Sequence, residues 1–244
     1  MREALAAFET CDAAAVRHLL AGGLDPNADL GGKPATQVLV ETYYRSDEFP
    51  KCLRAMLDAG GQIDDRRLIP ILLDDIDLLE QALRADPGYL RHRVDMPCAF
   101  TSLENVGLLH VAVEYGHEVA AKWLLDHGAD VNARAVVDDD SGGGHTPIFH
   151  AVSSNANRSA PLLKILLERG ADTHVRVSSL WWGRGFPWET MFFDVTPISY
   201  AQMGLLPQVH RGERDIYDNI ELMLSAAGRP EPHLRNIPNR YLLN

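Results

Sequence analysis

A short string recurs along this chain at the end of amphipathic stretches: two apolar residues, two variable ones, then glycine and a small residue. The clearest copies are Leu124-Leu125-Asp126-His127-Gly128-Ala129-Asp130 and Leu166-Leu167-Glu168-Arg169-Gly170-Ala171-Asp172. Looser copies begin at Leu19, Met56 and Met223. Each glycine falls where a helix must stop and the backbone must turn through positive φ, a conformation glycine adopts at little steric cost. Self-similarity of this kind restricts the fold more than any composition does, because one repeated unit cannot bury its apolar face alone and must stack on its neighbours.

A second string precedes the late copies: Thr146-Pro147-Ile148-Phe149-His150-Ala151 and Thr196-Pro197-Ile198-Ser199-Tyr200-Ala201, with Gly107-Leu108-Leu109-His110-Val111-Ala112 as a variant. Thr-Pro starts a helix, since the hydroxyl can cap free N–H groups and proline is tolerated in the first turn. The unit is therefore turn, helix, loop, helix, glycine. These strings, and above all the run from Gly107 to Ala133, resemble the ankyrin-repeat family and its Thr-Pro-Leu-His-x-Ala signature. The resemblance implies an all-α solenoid of about six helix-pair units, near 1–30, 31–64, 65–100, 101–137, 138–177 and 178–228, with 229–244 as a C-terminal tail or cap.

Departures from regular spacing mark added material. Leu125 to Leu167 is a step of 42 residues and Leu167 to Leu224 one of 57, against a usual 33. The third unit reads as two shortened helices over Leu68–Leu73 and Asp77–Leu83. The lengthened tips carry the most distinctive residues. One holds Trp181, Trp182, Arg184, Phe186, Trp188, Met191, Phe192 and Phe193, including three of the four tryptophans. Aromatic and arginine side chains anchor interfaces because they bury large areas with few rotors. Two uses remain open for them: packing on the neighbouring repeat, or holding a partner. The other tip, Asp138-Asp139-Asp140-Ser141-Gly142-Gly143-Gly144-His145, lacks the alternating acids and terminal Glu of a calcium loop and reads as a solvated acidic turn, with Asp138, Asp139 and Asp140 as candidate contacts to a partner.

The resemblance further implies contacts to another protein through the concave face. By register these include Tyr43 and Tyr44, Glu114 and Tyr115, and His150, with Ser153 and Ser154 beside them. His110 and His117 match family positions that serve structure. The polar residues Asn155, Asn157 and Arg158, and the stretch Met203–Arg214, read as lengthened loops.

Composition limits the alternatives. With 46% hydrophobic and 23% charged residues the chain of 244 can bury a core. A formal charge of −11 and no basic stripe argue against nucleic acid. Cys11, Cys52 and Cys98 suit neither a disulfide framework nor a zinc site, and no run reaches membrane-spanning length, so a cytoplasmic location is expected. The acid pairs Asp64-Asp65 and Asp74-Asp75 read as solvated faces. No phosphate loop, nucleophile elbow or metalloprotease helix is present, and neither a cofactor nor a metal is expected. The expected function is non-catalytic protein binding, as scaffold, inhibitor or immunity-type regulator, with a homodimer as another use of the aromatic tip. Two competing readings are an enzyme site around His145, His150 and Asp194, and an aromatic cage for a small ligand at Trp181, Trp182 and Trp188.

Overall fold

The computed structural model describes residues 2–154, 157–203 and 212–230. Their helices come in consecutive pairs: α1 (Arg2–Glu9) with α2 (Ala13–Ala21), α3 (Ala35–Glu41) with α4 (Phe49–Asp58), and α5 (Ile69–Leu72) with α6 (Ile76–Ala85). Then follow α7 (Leu108–Tyr115) with α8 (Glu118–Asp126), α9 (Pro147–Ser153) with α10 (Ala160–Glu168), and α11 (Pro197–Gln202) with α12 (Glu213–Ala226). Inner helices lie side by side as α1–α3, α5–α7–α9 and α9–α11, outer ones as α2–α4 and α6–α8–α10–α12. No helix of the described residues is long and apolar enough to cross a membrane.

This layering follows from two kinds of helix. Every residue of α7 is buried, because helices flank it and its own outer partner covers it. α10 is amphipathic and buries Leu162, Leu163 and Leu166, with Ile165 and Leu167 at the margin of the stripe. The terminating glycines Gly23, Gly60, Gly128, Gly170 and Gly228 all have positive φ, as the repeated string requires. The two Thr-Pro starts differ. Thr196 forms a reciprocal cap with Ser199, whereas the Thr146 hydroxyl is buried without a partner and caps nothing.

Successive units are stitched by an asparagine. Asn27 donates to the Gly60 carbonyl at 2.9 Å and accepts from the Gln62 amide at 2.9 Å. Asn132 repeats the pattern, donating to Gly170 at 3.0 Å and accepting from Asp172 at 2.8 Å. Both glycines end an outer helix of the following unit, so one side chain satisfies the backbone across a unit boundary.

Of the acid pairs expected as solvated faces, Asp64 is exposed as expected, whereas Asp65, Asp74 and Asp75 hold backbone amides. Asp75 Oδ1 accepts from the Leu78 amide at the start of α6, and Asp65 caps the 3-10 turn Arg66–Leu68. Asp74 reaches into the next unit and accepts from the Ala120 amide at 2.6 Å, in the first turn of α8. In the third unit only the inner helix is short, at four residues. Tyr115 of α7 reaches past it, its hydroxyl donating to the Val40 carbonyl at 2.7 Å and its ring lying 5.2 Å from that of Phe49.

The expectation of an all-α solenoid with two enlarged hairpin loops needs one correction, because strands pair both in the aromatic loop and in a segment where no hairpin was expected. Two antiparallel hairpins interrupt it: β1 (Arg93–Met96) with β2 (Leu103–Gly107), and β3 (Val177–Trp182) with β4 (Thr190–Val195). Val94 faces Val106, and Trp181 faces Met191. Inserted chain beyond the helix pair has backbone groups to satisfy, and strand pairing satisfies them locally. The loop 204–211, Asn155 and the tail 231–244, expected as loops and a cap, lie outside the described residues.

Candidate interaction face

The two enlarged tips form one unit. Gly143 N–H donates to the Ser179 carbonyl of β3 at 3.1 Å, and the Ser179 hydroxyl donates back to the Ser141 carbonyl at 2.5 Å. The Trp181 indole N–H donates to Asp138 at 3.2 Å and its ring lies against Gly142, where a Cβ would come within 2.5 Å of it. Arg184 joins both tips to β2. Its Nη1 lies 2.5 Å from Glu104 and from Asp138, its Nη2 lies 3.3 Å from Asp140, and its guanidinium sits 5.0 Å from the Trp181 ring centroid. The acidic turn is thus folded onto the aromatic hairpin rather than freely solvated. Among the described residues, no group of three or more His, Cys, Asp and Glu side chains is arranged to hold a metal ion.

The aromatic side chains divide by this docking. Trp182 is buried, its ring 6.2 Å from Phe100, while Gly183 N–H and the Phe100 carbonyl tie the strand to the segment before β2 at 2.7 Å. Of the two uses left open for it, Trp182 therefore takes packing and is withdrawn from the candidate partner contacts. Phe192 is half-buried with its ring 5.9 Å from Tyr200. Trp188 donates its indole N–H to the Ala99 carbonyl at 2.9 Å, lies over Gly183, stacks on Phe186 at 5.0 Å and still keeps 39% of its surface exposed. Phe193 is 71% exposed. The three indoles have different neighbours, so they do not close into one cage.

Three expected concave contacts lie in the interior instead. His150 and Glu114 pair at 2.7 Å with side chains 0% and 1% exposed, and Tyr115 is buried beneath the Arg45 guanidinium at 4.1 Å. Ser153 and Ser154 are buried as well. Inner helices flanked on both sides hide these positions, whereas Tyr43 and Tyr44, just past the end of α3, stay exposed at 49% and 41%. Asp139 and Asp140 are exposed, and Asp138 is half-buried under Arg184.

His110, His145 and His150 form a buried cluster with ring centroids 5.3 to 5.6 Å apart. His110 Nε2 lies 3.3 Å from the His145 carbonyl, the inter-unit backbone bond expected of a structural histidine, and His145 Nε2 lies 3.0 Å from the Ser102 carbonyl. Burial pushes His110 down to about 3 and His145 well below the usual histidine range. Asp194, the third member of the supposed enzyme site, is far more exposed and paired with Arg176 on the hairpin surface. The structure therefore does not present these three residues to a common ligand.

Two adjoining cavities open beside the fused tips. The inner one, about 190 Å³, is lined by Asp95, Glu104, Asp138, Gly142, His145 and Trp181 among others. The outer one, about 470 Å³, shares Asp95 and Glu104 and adds Glu41, Met96, Pro97 and Phe186. Hairpin β1–β2, unanticipated from the sequence, builds the shared wall. Its signal was the alternation of Arg93-Val94-Asp95-Met96, exposed and buried by turns; the partner strand hides its period, because a register shift near Asn105, whose φ is 49°, breaks the alternation between Leu103 and Val106.

Comparison with known proteins agrees with the repeat geometry. A family described as ankyrin repeats, in three copies, matches residues 73–177. The ADP-ribosylation factor GTPase-activating proteins AGD4 and AGD2 of Arabidopsis thaliana are 37% and 35% identical over 98 and 88 residues, which is 39% and 36% of this chain and 12% and 10% of theirs. The B-cell lymphoma 3 protein homolog of Mus musculus is 30% identical over 167 residues, 67% of this chain and 27% of its own. The chain thus spans 10% to 27% of the length of these curated relatives. With helix pairs, terminal glycines and signature strings in register across the matched segment, the chain belongs to the ankyrin-repeat family.

Proposed function

We propose that this chain is a non-catalytic protein-binding module, a cytoplasmic scaffold or inhibitor that grips another protein with the fused hairpin tips and the cavities beside them. The observation that carries this reading is the hairpin itself. After burying Trp182 and docking Trp181, it still leaves Phe193 71% and Trp188 39% exposed. Large apolar side chains held rigidly in water are characteristic of interface anchors. The six helix pairs support one continuous ankyrin stack over 1–228, extending the matched 73–177 in both directions. An extended stack presents a long surface rather than a catalytic cleft. Two relatives are named as GTPase-activating proteins, but they share only 12% and 10% of their length with this chain, and the function assigned here is the binding module alone.

Affinity purification from native lysate, quantified by mass spectrometry, tests the reading. A partner recovered with the parent chain should be lost with Phe193→Ala/Trp188→Ala at unchanged melting temperature. Recovery of the same proteins in the same amounts would remove the hairpin from the interface.

A further inference from the structure

We propose that the two adjoining cavities together form a docking channel for a basic segment of the partner protein, an extended peptide whose arginine or lysine enters between Asp95, Glu104 and Asp138. This rests on the binding-module reading and adds the partner's chemistry. Four carboxylates line the cavities, Glu41, Asp95, Glu104 and Asp138, and Asp139 and Asp140 follow Asp138 in the acidic turn with their side chains exposed.

The described cations facing this set are few. Lys33 is paired with Glu41, and Arg184 spans Glu104, Asp138 and Asp140. Arg93 and Arg134 direct Nη1 to backbone carbonyls, Arg93 to Asn105 and Arg134, and Arg134 to Gly144. Asp95 accepts the Asn105 amide at 2.6 Å but has no described lysine or arginine partner, and neither has Asp139. The channel is therefore negative after its own cations are counted, and concave walls of low polarisability strengthen such a field.

Arg184 shows the chemistry the walls accept. It lies on two carboxylates at 2.5 Å and over an indole, the arrangement that best suits a guanidinium. At the inner end, His145 is 1% exposed and its Nδ1 has no hydrogen-bond partner. With the Nε2 proton donated to the Ser102 carbonyl, Nδ1 is an acceptor and carries no positive charge to oppose a basic side chain. Met96, Pro97 and Phe186 in the outer cavity supply an apolar surface for the methylene stem of a long basic side chain. A free anion or an acidic peptide would meet Lys33 and Arg184 already paired with Glu41, Glu104 and Asp138.

The test is fluorescence anisotropy with labelled short peptides of matched sequence carrying arginine, citrulline or glutamate, at low and moderate salt. The arginine peptide should bind at least about tenfold tighter than the citrulline peptide, the glutamate peptide should not bind, and affinity should fall with salt. Asp95→Asn/Asp139→Asn should weaken the arginine peptide by about tenfold. Asparagine can still accept the Asn105 amide, so this variant should fold, which its melting temperature checks. Asp58→Asn/Glu168→Asn removes the same charge from the ends of α4 and α10 and should change nothing. Equal binding of arginine and citrulline peptides, no binding at all, or equal losses in both charge variants overturns the proposal. A purified partner lost with Phe193→Ala/Trp188→Ala but retained by Asp95→Asn/Asp139→Asn would sink the basic segment and leave the binding module standing.

Discussion

Glu114 and His150 show how one substitution position can be read at the wrong depth. Register places both on the inner helices, where an open repeat would expose them, yet they meet at 2.7 Å in a fully enclosed space beside Cys98. Burial drives the Cys98 thiol well above the usual range, so it is inert at neutral pH. Breaking an enclosed pair strands its remaining polar group, and Glu114→Ala should cost about 3 kcal/mol in urea denaturation. A value under about 1 kcal/mol would mean that the pair is dispensable to folding. Asn132 offers a second test on the same scale. Its two bonds to the next unit make Asn132→Ala worth about 1–2 kcal/mol, and Asn27→Ala should behave alike if the stitch is general.

At the level of elements, the fused tips depend on glycines that admit indoles. A Cβ on Gly142 would come within 2.5 Å of Trp181, and one on Gly183 within 2.4 Å of Trp188, where the positive φ of 64° adds strain. Gly183→Ala should therefore lift Trp188 from the hairpin, with a red-shifted, more quenchable tryptophan emission and little change in helix content by circular dichroism. An unshifted spectrum would show that the indole is not held by this contact. Strands β3 and β4 were hard to anticipate because an aromatic-rich insertion has no single period to read. Their pairing is completed by long-range partners, Ser141, Gly143 and Phe100, whose nearness only the packed chain supplies.

Across the whole molecule, one apolar cluster runs from Ala4 to Met223, and three buried histidines make its stability depend on pH. Burial holds His110 and His117 down to about 3 and His145 well below its ordinary range, so all are neutral in the folded chain at neutral pH. The unfolded chain takes up protons below about 6.5 that the fold refuses, so the histidine contribution is complete above that pH and is lost on acidification toward 3. Stability should fall by up to about 4 kcal/mol per pH unit where all three are engaged. Chemical denaturation between pH 7 and 4.5 checks this, and replacing His145 by Phe should flatten the slope. A flat profile in the parent would contradict the neutral state of His110, His117 and His145.

The repeated glycine string, the Thr-Pro starts and the amphipathic second helices were sufficient to read the ankyrin pairs from the chain, because helix period and helix stops are local properties encoded within a few residues. The candidate site was legible as a place, the two oversized tips, but not as an arrangement. Which indoles pack and which stay in water, the seating of Arg184 on Glu104 and Asp138, and the concealment of Glu114, Tyr115 and His150 all depend on partners 36 to 89 residues away or on a neighbouring helix. Local sequence determined which helices form and where they end; only tertiary packing decided which of their residues meet water, since burial is set by the neighbour that covers a residue and not by the residue itself.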